Sequence, residues 1–120
     1  MVCLFLAGLA RPLGMWAAER SAEGLVVLYD FRLAKGNIVK DRSGKGQPLD
    51  LKIENPQNVH RSNGILEVHG KTLIRSDKPA AKVFKAVRRS GEITIEAWVR
   101  PANTRQDGPA RMVTLSGSSS

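Results

Sequence analysis

The sequence predicts an all-β fold, two antiparallel layers packed face to face with one short amphipathic helix, and three observations carry that reading. The run Glu92-Ile93-Thr94-Ile95-Glu96-Ala97-Trp98-Val99-Arg100 alternates strictly and stops at Pro101. It places Ile93, Ile95, Ala97 and Val99 on one face of a strand and Glu92, Thr94, Glu96, Trp98 and Arg100 on the other. Shorter runs rich in β-formers precede it, separated by Gly, Asn and Asp turn chemistry. Helical periodicity is convincing only from about Pro79 to Arg89. A strand with one aliphatic face and one face mixing carboxylates, Trp and Arg belongs at the centre of a two-layer structure, with one side in the core and the other lining a groove or water.

At 120 residues the chain has room for one domain at most. A hydrophobic content of 42% is ordinary for a globular protein and argues against disorder throughout. With 19 Lys and Arg against 11 Asp and Glu, the net charge of +8 favours polyanionic partners such as nucleic acid, anionic lipid or sulfated glycan. The single cysteine, Cys3, lies in the leader, so the body can form neither a disulfide nor a cysteine-based zinc site. His60 and His69 are too few to suggest a metal cluster.

Residues 1–21 read as a leader. Val2 to Ala10 (VCLFLAGLA) is too short to span a bilayer but within the range of a signal-peptide core, with cleavage after Ala10, Ala17 or Ala18. The body, residues 22–120, opens on Leu25-Val26-Val27-Leu28-Tyr29-Asp30-Phe31, a first strand bounded by Gly24 and Gly36. Ile38-Val39 follows, and Asp41-Arg42-Ser43-Gly44-Lys45-Gly46 supplies a turn in which Asp41 bonds its own downstream amides and Gly44 takes positive φ. Leu49-Asp50-Leu51-Lys52-Ile53 alternates as another strand. Asn55 to Asn63 reads as a polar loop, and Ile65-Leu66-Glu67-Val68-His69 with Thr72-Leu73-Ile74 as a hairpin turning at Gly70-Lys71.

In the helix of residues 79–89, Ser76 and Asp77 offer starting acceptors, Pro79 suits the first turn and Gly91 the stop. Ala80, Val83, Phe84 and Val87 form an apolar stripe, and Lys78, Lys82, Lys85 and Arg89 fall on the opposite one. Beyond the central strand, Ala102 to Gly108 is a polar loop and Arg111-Met112-Val113-Thr114-Leu115 begins one more strand.

Taken together, Leu28-Tyr29-Asp30-Phe31 with Gly36 downstream, the Asp41 to Gly46 turn, and Ile93 to Pro101 resemble the concanavalin A-like lectin/glucanase superfamily, specifically a bacterial laminin-G-type (LamG) domain. The resemblance covers about Gly24 to Ser116. It implies a jelly roll of two antiparallel sheets, an extracellular setting, and a role in binding carbohydrate or protein. Family members are longer, and their closing strands, which carry a recurring acidic motif, have no counterpart before Ser120. The chain is therefore expected to supply the N-terminal half of such a domain and to be marginal or unfolded alone.

The residues allow several chemistries to be weighed. Trp98, Glu96 and Arg100 share one strand face and are the first candidates to line a ligand groove, although a Trp in the middle of a central strand more often packs inside. The resemblance implies a structural calcium, for which Asp30 and Asp41 are the positions, with Asp50 a poorer choice. Calcium wants 6 to 8 oxygens, and the competing reading is a turn-forming Asp41 and a strand-end Asp30. Glu92-Ile93-Thr94-Ile95-Glu96 is a near miss to the E-I-D-I-E catalytic strand of retaining glucanases, with Thr94 in place of the central Asp. On a regular strand Glu92 and Glu96 lie about 13 Å apart, beyond the roughly 5 to 9.5 Å that glycoside hydrolysis uses. Gly64 to Thr72 looks like a phosphate loop, but its spacing is wrong and no helix follows to cradle a phosphate. Lys78, Lys82, Lys85 and Arg89 are ordinarily a solvated helix face; functionally they are a polyanion patch, extended by Arg42, Lys45 and Arg61 if the fold gathers them. With no aromatic among those four to stack a base, specific nucleic-acid recognition is disfavoured.

The expectation is a non-catalytic, exported binding or adhesion module for extracellular carbohydrate or protein, with no enzyme activity and no transmembrane span in the mature chain. The alternatives are a structural or vestigial accessory domain without its own ligand, and an anionic-polymer binder acting through the basic helix.

Overall fold

The structure, a computed structural model, describes residues 22–32, 36–105 and 112–116. The leader, residues 1–21, lies outside the described residues, as does Arg111 at the start of the last expected strand. Small antiparallel sheets and one short helix make up the regular structure. One sheet has three strands, β1 (Ile38–Val39), β2 (Leu51–Ile53) and β5 (Ile74–Arg75), in the order β1-β2-β5. The other is a hairpin of β3 (Val59–Ser62) and β4 (Ile65–Val68), entered through a 3-10 turn at Pro56–Asn58. The helix, α1, spans Ala81–Ser90. This is the sheet-rich class that the sequence predicts, with less regular strand than expected.

The core is Val27, Tyr29, Val39, Ile53 and Val83, one or two residues from each segment that packs together. Val27 and Tyr29 keep the period of two expected of residues 25–31, but the segment is not a strand: no ladder forms along it. It is held at points. The Leu28 amide donates to Asp41 Oδ1 (3.3 Å), and its carbonyl accepts from the Arg42 amide (2.8 Å). Phe31 then turns the chain through φ of 52°, a left-handed conformation that costs a non-glycine residue about 1–2 kcal/mol, and its ring packs at the edge of the core.

β2 is the centre of its sheet. Val39 faces Leu51 on one side and Ile53 faces Ile74 on the other, and the ladder is prolonged by Ile53 N–H to Asn37 O (2.8 Å) and Glu54 N–H to Leu73 O (2.9 Å). Lys52 lies directly opposite Arg75, a repulsive cross-strand pair that Glu54 offsets by bridging Arg75 Nε at 3.0 Å.

The expected hairpin at Gly70-Lys71 is corrected. The chain turns at Asn63-Gly64, whose φ values of 50° and 77° are the doubly positive geometry of a two-residue hairpin loop. The expected loop of residues 55–63 therefore contains β3, and β4 pairs backwards with it (Val59↔Val68, Arg61↔Leu66). Ile74 crosses instead to β2. Gly70 is small for a different reason: a Cβ there would lie 2.9 Å from Cγ of Asn58, whose Nδ2 donates to Lys71 O at 2.8 Å.

α1 begins at Ala81 rather than Pro79, and neither Ser76 nor Asp77 caps it; Ala80 is the N-cap, and Ser76 Oγ is turned to Lys78 O (2.7 Å). Gly91 ends the helix as expected, in the left-handed conformation with its N–H on Val87 O. Val83 is buried and Ala80 and Val87 pack on the core, but Phe84 of the same stripe is 42% exposed.

The expected central strand is also corrected. Residues 92–100 form no strand, and Ile93, Ile95 and Val99 are each more than 40% exposed. Alternation selects which residues share a face, but a strand exists only when its amides and carbonyls find a neighbour, and among the described residues no segment pairs with this one. The same holds for Met112 to Leu115, all exposed and outside any ladder.

Candidate functional site

The most connected side chain is Asp41, whose carboxylate is only 1% exposed. It accepts from the Leu28 amide (3.3 Å) and the Ser43 amide (3.0 Å) through Oδ1, and from the Leu49 amide (3.0 Å) and the Lys82 ammonium through Oδ2. The Ser43 contact is the local Asx turn that the sequence predicts. The other three tie the first segment, the approach to β2 and α1 to one point. Burial pushes the Asp41 carboxyl up, but the Leu49 amide, the Lys82 ammonium and Ser43 outweigh it and hold the group below its ordinary range. Asp50, beside it, is also held low: burial opposes, but Lys40 Nζ at 2.6 Å and the Asp41 amide at 3.0 Å prevail. Tyr29 donates its hydroxyl to Leu49 O, and burial, with the Asp41 and Asp50 charges, drives its ionisation well above the ordinary value.

Lys82 is thereby withdrawn from the expected polyanion patch. Its side chain is 15% exposed, and its three N–H donors are met by Asp41 Oδ2, Ser43 Oγ (3.2 Å) and Lys45 O (2.9 Å). The Ser43 spacing is that of a serine–lysine pair, but an ammonium donating to three acceptors has no lone pair to take a proton, so the trio is a structural latch. Lys78, Lys85 and Arg89 are exposed; Lys85 and Arg89 are joined by Arg88 around one hollow, whereas Lys78, ahead of the helix, lines another with Asp50 and Asp77.

The residues offered for calcium do not fit the ion. Asp30 faces Arg42 Nε at 2.9 Å and Arg32 Nε at 3.5 Å, and Asp41 is occupied by Lys82 and three amides. Among the described residues no group of three or more acidic, His or Cys side chains comes together.

Of the expected ligand face, Glu96 and Trp98 are brought together: the indole Nε1 donates to Glu96 Oε1 at 3.0 Å. Trp98 is not in the core, being 55% exposed, and Arg100 is exposed two residues further on. The carboxylate holds the ring edge, and about half of the side chain remains exposed.

Arg61 was to extend the patch only if the fold gathered it there; instead it is 8% exposed, with Nη1 on Ile38 O (2.7 Å) and Nη2 on Gly36 O, binding the hairpin to the approach to β1. Burial lowers its affinity for the proton. The available signal was its register: Val59 and Arg61 share a hairpin face that turns inward. No helix among the described residues is long and apolar enough to cross a membrane. Comparisons with protein-family models, with curated proteins and with solved structures find no match to this chain.

Proposed function

We propose that this chain is a non-catalytic extracellular binding module of concanavalin A-like, LamG-type design, whose ligand is carbohydrate or protein and whose contact face is Glu96, Trp98 and Arg100. The observation that carries the reading is the indole of Trp98, 55% exposed and donating its Nε1–H to Glu96. An exposed ring offers a flat apolar surface to the C–H face of a sugar or to an apolar side chain, and a neighbouring carboxylate and guanidinium select among polar groups. Two of the three motifs behind the resemblance support it by packing on one another: Leu28 bonds both the Asp41 carboxylate and the Arg42 amide, and Asp30 pairs with Arg42. Export through the leader belongs to the same proposal.

A glycan array followed by titration calorimetry tests it, comparing the native chain with Trp98→Ala. Because the ring is mostly exposed, the variant is expected to melt within a few degrees of the native chain while losing tenfold or more in affinity, as the loss of one aromatic anchor implies. Affinity unchanged by Trp98→Ala, or hydrolysis of a β-glucan that Glu92→Gln abolishes, would overturn the reading.

A further inference from the structure

The outer side of α1 is a cationic surface with an apolar edge. Lys85, Arg88 and Arg89 are exposed there, and with Pro79, Ala81 and Phe84 they line a shallow hollow. Among the described residues no carboxylate lies within ion-pair distance of those three cations, while Asp30 pairs with Arg42, Asp41 with Lys82, Asp50 with Lys40 and Glu54 with Arg75. These three cations are thus a part of the net charge of +8 that no ion pair offsets. The complement of such a surface is anionic.

Phe84 narrows its kind. A helix whose apolar stripe were wholly satisfied by the core would bury Phe84 with Val83 and Val87; instead the ring is 42% exposed at the rim of the basic surface. A duplex nucleic acid presents phosphates but no apolar layer for a lateral ring, whereas a bilayer places hydrocarbon directly beneath its phosphates. We propose that this face docks on an anionic phospholipid surface, with Lys85, Arg88 and Arg89 against headgroup phosphates and Phe84 dipping into the interface. Its residues differ from those of the Trp98 face, so each proposal is tested by its own variants.

Cosedimentation of the full chain with vesicles tests the proposal. Binding is expected to vesicles of equimolar phosphatidylcholine and phosphatidylglycerol, not to phosphatidylcholine alone, and to weaken as salt is raised. Lys85→Glu with Arg89→Glu should reduce binding by tenfold or more, at roughly fivefold for each cation lost near an anionic surface. Phe84→Ala should reduce it less, by about threefold, with the melt preserved. Lys52→Glu with Lys71→Glu makes the same change in net charge on exposed positions outside α1 and its hollow and should leave most of the binding intact. Equal binding to pure phosphatidylcholine, no binding to either vesicle, or equal losses from the two double variants would overturn it. So would tight binding of a DNA duplex that Phe84→Ala leaves unchanged, which would make the face a nucleic-acid surface.

Discussion

Lys82 and Asp41, 41 positions apart in the chain, form an ion pair in which the carboxylate is almost wholly buried and the ammonium nearly so. With the Lys82 bonds to Ser43 Oγ and Lys45 O it joins the helix to the Asp41–Gly46 turn, and through the Leu28 and Leu49 amides it reaches both sides of the sheet approach. A buried pair adds little over an apolar substitute, but breaking it leaves one uncompensated charge.

Asp41→Asn is accordingly expected to destabilise the fold by about 3 kcal/mol. The amide keeps one acceptor, but its NH2 group faces donors at Lys82 or Leu49. Urea unfolding followed by far-UV circular dichroism measures the loss. Lys82→Met, which removes the cation but keeps the stem, should cost a similar amount if the pair is the source.

Acid stability follows the same carboxylate. Asp41 is held below its ordinary value of 3.8 in the fold, so the unfolded chain binds its proton first as pH falls. The stabilisation is complete above that value and is lost as pH drops through the lower folded value; Asp50 acts in the same direction. Unfolding free energy should be level near neutrality and fall steeply below about pH 4. The acid limb should be shallower in Asp41→Asn.

Tyr29 gives the opposite limb. Its ionisation is raised above the ordinary 10.0 by burial and by the two aspartates, so the folded state keeps the phenol neutral after the unfolded state has begun to ionise. Stability is intact below pH 10 and declines as pH rises beyond it. Tyr29→Phe should start less stable, by about 1 kcal/mol for the lost bond to Leu49 O, yet show no alkaline decline from this group.

Arg61→Ala should cost about 3 kcal/mol, since it opens a cavity and strips the Ile38 and Gly36 carbonyls of their donors. Arg61→Lys should recover little, because one ammonium does not reproduce the fork that serves two carbonyls. Thermal melts of the two variants compare them directly.

Local chemistry was readable wherever a structure is closed by its own neighbours. The Asp41 turn, the Gly91 stop and the Ile38-Val39 and Leu51 to Ile53 strands are of that kind. Asn63-Gly64 was equally local, but apolar alternation running on to Ile74 suggested a later turn, and only the distant pairing of Ile74 with Ile53 shows why that reading fails. Lys82 sits about 100° around the helix from buried Val83, a flank position that periodicity assigns to solvent and a remote carboxylate claims. Arg61 was illegible for a related reason: its acceptors are carbonyls more than 20 positions away. For residues 92–100 the pattern defined two faces but supplied no neighbour, so neither the strand nor the buried Trp98 followed.

The most direct measurement is acrylamide quenching of Trp98 emission in the Trp16→Phe chain, where Trp98 is the sole indole of the two in the sequence, before and after adding a glycan found on the array. The expected result is red-shifted emission that acrylamide quenches freely, with a blue shift and protection once the glycan stacks on the ring. Blue-shifted emission that resists acrylamide without any ligand would place Trp98 in a core and contradict the proposed binding face.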